Sequence, residues 1–289
     1  MDTIGQTELW SFFDSKNKSR TATNTEIRKG AGHEVRSFLD LATKVAELQF
    51  MNRDHVLLFR GQRGDHRNRN NNTSLKPRLL RSIAGAEKNP TSDRLTRRFQ
   101  ILKDAEEELV NRYAPARLLG LERLKRHRIL RWAILQHYEV CKTPLLDVTH
   151  SLRIAASFAS VGSGNKAFLF VLGVPNLSGA ITASAEGGLQ IIRLASVCPP
   201  SAVRPHIQEG YLLGEYPDMA DFQQKVNYKH YEIDFGRRLV AKFCFDPAVF
   251  WRKKGTFPMV NQRALYPDSS DPIFKLTQDV KTSIDTTEN

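Results

Sequence analysis

The strongest constraint on the fold is the order in which two hydrophobic rhythms occur along the chain. Glu34 to Phe50 carries Val35, Phe38, Leu39, Leu41, Ala42, Val45 and Leu48 at helical spacing. Thr91 or Ser92 can cap a long helix striped by Leu95, Phe99, Leu102, Leu109 and Tyr113 and closed by Pro115. Leu121 to Tyr138 reads as a second helix, and Leu152-Arg-Ile-Ala-Ala-Ser-Phe-Ala159 as a small-residue helix stopped by Gly162. Beyond that point the rhythm changes to short blocks: Ala167–Val174, Leu189–Leu194, Val203–Leu213 and Leu239–Phe245 predict strands. A last helix is expected over Asp271–Ile284. One strand comes early, Val56–Phe59, running into a turn at Arg60-Gly61. Long helices first and most strands afterwards predict an α+β architecture, not an alternating parallel fold.

Between these elements, residues 14–32 read as a polar linker, and residues 64–73, with no apolar member, as an exposed loop. No window approaches the roughly 18 apolar residues of a membrane span, so no membrane association is expected. Asp2 and Glu8 near the start, with no basic stretch, do not suggest a secretory leader. Cys141, Cys198 and Cys244 are odd in number and far apart, which argues for a reducing cytoplasm over a disulfide framework.

Charge is concentrated. The formal net charge is +12, and two short segments carry nearly all of it. Residues 60–81 hold Arg60, Arg63, Arg67, Arg69, Lys76, Arg78 and Arg81 against Asp65 alone. Residues 117–131 hold Arg117, Arg123, Lys125, Arg126, Arg128 and Arg131 against Glu122. Clustered positive charge is what a surface meeting a polyanion needs, because each phosphate contact releases counterions; a solvated helix face plus a loop is the plainer reading.

The common catalytic signatures are missing. Gly162-Ser-Gly164-Asn-Lys-Ala167 has the letters of a nucleotide fingerprint but sits between a helix and a strand, the reverse of the context required, and reads as a helix stop. There is no P-loop, no G-x-S-x-G elbow and no H-x-x-x-H pair, so no metal site is expected. Cys141 near His137 reads as packing more readily than as a nucleophile with its base.

Three polar patches are harder to assign to a core: Phe59-Arg60-Gly61-Gln62; Gln136-His137-Tyr138 with Leu145-Leu146-Asp147-Val148-Thr149-His150-Ser151; and Arg204-Pro-His206-Ile-Gln208-Glu209-Gly210-Tyr211. An arginine at a strand end beside a glycine suits bidentate capture of a phosphate. Asp147 or Thr149 equally reads as a helix cap. In this order, and with Ser74-Leu-Lys-Pro-Arg78-Leu-Leu-Arg81 between the first two, the patches resemble the FRG family, named for its Phe/Tyr-Arg-Gly motif. The resemblance covers residues 34–215, with residues 1–33 as an N-terminal segment and 216–289 completing the same domain. Glu139 stands where that family usually has a glycine, and Val148 replaces a common tryptophan.

The FRG family looks related to ADP-ribosyltransferases, which implies N-terminal helices packed on a split antiparallel sheet and NAD as substrate. On that resemblance Arg60, Gly61 and Gln62 would take the NAD diphosphate, Tyr138 would stack on nicotinamide, and His137, Thr149 and Ser151 would hold ribose. His137 and Asp147 also belong, on that resemblance, to the catalytic group with Gln208 and Glu209. Gln208 or Glu209 would stabilise the positive charge that builds on ribose during cleavage; strand neighbours face opposite ways, so only one of the two enters the cleft. The acceptor expected from the basic segments is nucleic acid, RNA in particular, held by Arg63, Arg67, Arg69, Arg123 and Arg126. The implied setting is a toxin or phage-defence effector with a possible antitoxin or inhibitor protein as partner. The rivals are a metal-independent ribonuclease using His137, Arg60 and Glu139, and a non-enzymatic nucleic-acid-binding module.

Overall fold

The computed structural model describes residues 1–4, 8–13, 16–82, 89–226, 233–252 and 257–284. A small antiparallel ribbon, β1 (Leu9–Ser11) with β2 (Arg20–Ala22), leads to α1 (Asn24–Lys29), which a Thr23–Glu26 capping box starts. The short β3 (His33–Glu34) precedes α2 (Phe38–Met51). That helix begins four residues later than its stripe predicts, because Glu34 is used in strand pairing and the Ser37 hydroxyl accepts from Asp40 N at 3.2 Å, setting the cap.

β4 spans Val56–Gln62, so Arg60, Gly61 and Gln62 lie within the strand, not in the turn expected after Phe59. Next come α3 (Ser92–Tyr113), capped by Thr91, then α4 (Leu121–Arg126) and α5 (Arg128–His137). The single helix expected over Leu121–Tyr138 is therefore two. His127 is extended, and the Arg131 guanidinium donates to Leu124 O and Lys125 O at 2.8 and 2.9 Å, satisfying carbonyls that a continuing helix would have bonded.

β5 (Leu146–Thr149) and α6 (Leu152–Ser160) follow, then β6 (Ala167–Val174), buried at every position, β7 (Ile181–Ser184) and β8 (Leu189–Arg193). Gly162, at φ +66°, ends α6 and starts the turn into β6. The strand expected over Val203–Leu213 is also two elements. After α7 (Leu194–Val197), the helical turn α8 (Val203–Ile207) carries Arg204 and His206, and β9 (Gly210–Glu215) begins only at the glycine. The chain closes with α9 (Phe222–Val226), β10 (Leu239–Phe245), α10 (Pro247–Phe250), α11 (Gln262–Leu265) and α12 (Pro272–Ser283).

Eight strands form one mixed sheet in the order β3-β10-β6-β4-β5-β9-β8-β7, antiparallel throughout except for the parallel β3–β10 pair. With α6 packed on β4 and β6, and α5 and α12 packed on α3, the protein is α+β. The sheet is continuous, so the expected division into two does not occur among the described residues. One junction is nevertheless thin. β4 pairs with β6 along its whole length and β5 with β9 from Leu146 to Thr149, whereas β4 and β5 share only Phe59↔Thr149. Past that pair the strands splay, with Arg60–Gln62 on one side and Leu146–Val148 on the other.

Loop 64–73 is not the freely exposed segment its composition predicts. The buried Thr73 hydroxyl donates to Asp65 at 2.8 Å, and Lys242 Nζ of β10 reaches Asp65 at 2.7 Å and Thr73 Oγ1 at 2.8 Å. Arg67 closes onto Asp65 and onto the carbonyls of Lys29 and Gly30.

Candidate active site

The splay between β4 and β5 opens into a cavity of about 610 Å3, within the usual range for small-molecule sites. Its walls come from β4, the turn at Arg78–Arg81, the C-terminus of α5, β5, α6, and the α8–β9 turn, with Tyr266 closing one side.

Arg60 crosses the gap where a ladder hydrogen bond would have been: its Nη1 donates to Asp147 O, while its Nε is buried without a partner. Burial disfavours its charge, Asp147 favours it and Arg78 opposes it; the balance is a guanidinium held below its ordinary pKa. Arg81, half-buried and facing both Arg60 and Arg78, is lowered to about 10.

Opposite stands Asp147, with 39% of its side chain open to the cavity and Nδ1 of His137 at 3.7 Å. Gln136 Nε2 donates to Asp147 Oδ2, and Gln136 Oε1 in turn accepts from the buried Thr143 hydroxyl at 2.6 Å, which fixes the amide's orientation. Burial alone would raise the Asp147 carboxyl; His137, Arg60 and Gln136 outweigh it and hold the carboxyl below its ordinary range. Asp147 is thus an ionised carboxylate oriented by its neighbours. Glu139 adds a second carboxylate to the lining, at φ +56°, a left-handed conformation that explains why glycine suits this position.

Several residues hold positions other than those the sequence suggests. Tyr138 does not line the cavity. It is buried behind it, donates to Asp271 Oδ2 at 2.7 Å, and lies under the Arg204 guanidinium; burial and Asp271 push its phenol far up. Phe59, Phe158 and Tyr266 line the cavity instead, the last two as an edge-to-face pair 5.7 Å apart. Gln208 and Glu209 are in a turn, not a strand, and Glu209 is exposed outside the cavity. Gln208 lines it, but its Nε2 is committed to Leu265 O at 2.7 Å.

Thr149 lines the cavity with its hydroxyl proton already shared between Gln208 O and Glu209 O, at 2.7 and 3.1 Å. Ser151 caps α6 by position and donates its N–H to Thr149 Oγ1; it is not part of the lining. Gly61 does line the cavity, yet the close approach it permits is to α6: a Cβ there would sit 1.9 Å from Ala155 O. Gln62 also lines it, its Oε1 buried and unpartnered. His137 is only 3% exposed, its Nε2 without a partner.

Of the basic residues, Arg60, Arg63, Arg78, Arg81 and Arg204 reach the cavity, whereas Arg67, Arg69, Arg123 and Arg126 do not. Arg63 donates to Val161 O at 2.9 Å, and the α4 arginines lie beyond the far end of α5 from Gln136 and His137. The second basic segment is partly neutralised by Glu106, which takes Arg131 at 2.8 Å and Arg128 at 3.7 Å. Arg204, held by His137 O and Asp268 and flanked by Tyr138, Tyr266 and Phe274, links the wall to the C-terminal segment. Nothing in the sequence pattern connects Tyr266, Asp268 or Asp271 to this site.

Among the described residues, no group of three or more His, Cys, Asp or Glu is arranged to hold a metal, and no helix is long and apolar enough to cross a membrane. Burial and Glu106 raise the Cys141 thiol to about 12, the wrong direction for a nucleophile.

Residues 55–166 match the family model of the FRG domain, a span that runs from the start of β4 past α6 and contains Arg60, Arg78, Arg81, His137 and Asp147. The chain carries an FRG domain there. No curated protein and no solved structure matches the chain.

Proposed function

With an FRG domain supplying most of its cavity, this chain is, we propose, an ADP-ribosyltransferase that takes NAD as substrate and transfers ADP-ribose to a nucleic-acid acceptor, RNA in particular. One observation carries the reading. A single cavity holds arginines for a diphosphate, an ionised carboxylate for a cationic sugar, and an aromatic pair for a planar ring.

Breaking the bond between ribose C1′ and the nicotinamide nitrogen releases neutral nicotinamide and builds positive charge on the sugar. Asp147, ionised and oriented by Gln136, would stabilise that charge without reorganising. The acceptor nucleophile then bonds to C1′ and gives up its proton to solvent. The role expected of Gln208 or Glu209 passes to Asp147, since Glu209 lies outside the cavity and the Gln208 amide is engaged elsewhere. Stacking passes from Tyr138 to Phe158 and Tyr266. A toxin or defence role with an inhibitor protein as partner belongs to the same proposal.

The ribonuclease alternative fares worse, because a general acid or base must reach its substrate and the His137 side chain is 3% exposed. The test is nicotinamide release from NAD by wild type and Asp147→Asn, with and without RNA. Release that depends on Asp147 and rises with RNA is expected; no release from wild type under any condition refutes the proposal.

A further inference from the structure

Beside Arg60, the arginine of the strand motif, Arg78 and Arg81 also face the cavity. They sit at the two ends of one short helical turn, Arg78–Leu80 with Arg81 as its cap, anchored by the buried Leu79 and Leu80. Leu79 N donates to Thr143 O, so the turn is tied to the same segment that orients Gln136 and Asp147.

Arg78 makes no side-chain hydrogen bond or ion pair among the described residues. Arg81 uses only its Nε, on Lys76 O at 2.8 Å, leaving the rest of its guanidinium unbonded there. Arg60 has an orphaned Nε. Three guanidinium groups close enough to oppose one another's charge therefore share one wall, and the carboxylates that line it among the described residues, Asp147 and Glu139, form no ion pair with Arg78 or Arg81. Three like charges gathered in a concave site, two of them without a paired carboxylate, are costly, and planar guanidinium forks are suited to phosphate oxygens.

We propose that Arg60, Arg78 and Arg81 form a diphosphate-recognition wall, so that the small-molecule ligand of this cavity carries at least two linked phosphates. This deepens the NAD reading by naming the group its ligand must present, and rests on that reading only for the identity of the rest of the ligand. A diphosphate spreads its oxygens over two linked phosphate groups and so spans more of the wall than a single phosphate can.

The test is calorimetric titration with inorganic pyrophosphate and with inorganic phosphate, on wild type, Arg78→Gln, Arg81→Gln and, as a control away from the cavity, Arg53→Gln. Pyrophosphate is expected to bind at least tenfold more tightly than phosphate. Each wall substitution should weaken it by on the order of 10- to 100-fold, the loss expected for one charge-assisted hydrogen-bonded group, and Arg53→Gln should leave it unchanged. Arg78 is exposed, so Arg78→Gln decides the matter if Arg81→Gln fails to fold.

Pyrophosphate binding no tighter than phosphate, or unaffected by Arg78→Gln in a folded protein, overturns the proposal. So does a short single-stranded RNA whose binding suffers from Arg78→Gln while pyrophosphate binding does not, since that marks a phosphodiester track. If pyrophosphate binding follows the arginines but NAD is never consumed, the transferase reading fails and the wall stands. If NAD is consumed and pyrophosphate binding ignores the arginines, the wall alone fails.

Discussion

Replacing Gly61 with alanine should be among the most damaging single-methyl changes this protein can suffer. Gly61 has ordinary extended backbone, so the reason is space and not conformation. A Cβ at this position would lie 1.9 Å from Ala155 O, 2.7 Å from Ala159 N and 3.0 Å from Ala155 C. These are backbone atoms of α6, which cannot turn aside as a side chain would. Restoring contact distances requires the helix to lift from β4 by about 1 Å or more. Overpacking typically costs 1–3 kcal/mol, and with two rigid elements forced apart we expect about 3 kcal/mol. For a chain of this size that corresponds to a melting temperature lower by roughly 6–12 °C. Because α6 carries Ala155 and Phe158 into the cavity, ligand binding should fall as well. Thermal unfolding followed by circular dichroism reads the effect, with Gly64→Ala as the control: a Cβ there meets nothing within 4 Å, so a change within about 0.5 kcal/mol is expected. If Gly61→Ala melts with wild type, β4 and α6 do not pack as described, and the position of Arg60 is wrong with them.

Asp147→Asn should destabilise by about 1–2 kcal/mol at neutral pH through the lost charge-assisted contacts. The folded state depresses this carboxyl's pKa, so its stabilisation is present above the ordinary value of 3.8 and fades as pH falls below it; denaturant titrations of wild type and variant should therefore converge in acid. Lys242→Met, which strips the buried Asp65 of one of its two cationic partners, should cost about 3 kcal/mol, and a double-mutant cycle with Asp65→Asn should show strong coupling. Glu139→Gly, which removes a left-handed non-glycine residue, should raise stability by up to about 1 kcal/mol, while Glu139→Ala should not. Arg123→Glu with Arg126→Glu should leave small-molecule binding unchanged, since neither residue lines the cavity.

Much of the scaffold could be read from local pattern. The stripe on α3, the continuous apolar run of β6 and the Gly162 stop are each dictated by neighbours in sequence, and each occurs as expected. Errors arose where distant residues decide the local state. Arg131 reaching back to Leu124 and Lys125 splits a helix that periodicity alone would continue. Asp271, far along the chain, accepts from Val203 N and Arg204 N at 3.0 and 2.8 Å and so caps a helical turn where alternating polarity suggested a strand. That error carried Gln208 and Glu209 with it.

At the site, Arg60 and Asp147 were legible because short motifs hold them. The family resemblance turns Tyr138 toward a ligand, whereas its hydroxyl is drawn into the core by Asp271, a partner 133 residues away that no local pattern announces. Phe158 and Tyr266 were missed because their pairing exists only in three dimensions. The +12 charge pointed to a polyanion, but only the first of its two segments contributes to the cavity wall.

Whether the splay between β4 and β5 is a transferase site can be read by mass spectrometry of RNA incubated with the purified protein and NAD. A transferase leaves RNA carrying the added mass of one or more ADP-ribose groups and releases nicotinamide in matching amount, and Asp147→Asn yields neither product. RNA recovered unmodified and NAD recovered intact, from a protein that is folded and binds pyrophosphate, would contradict that reading.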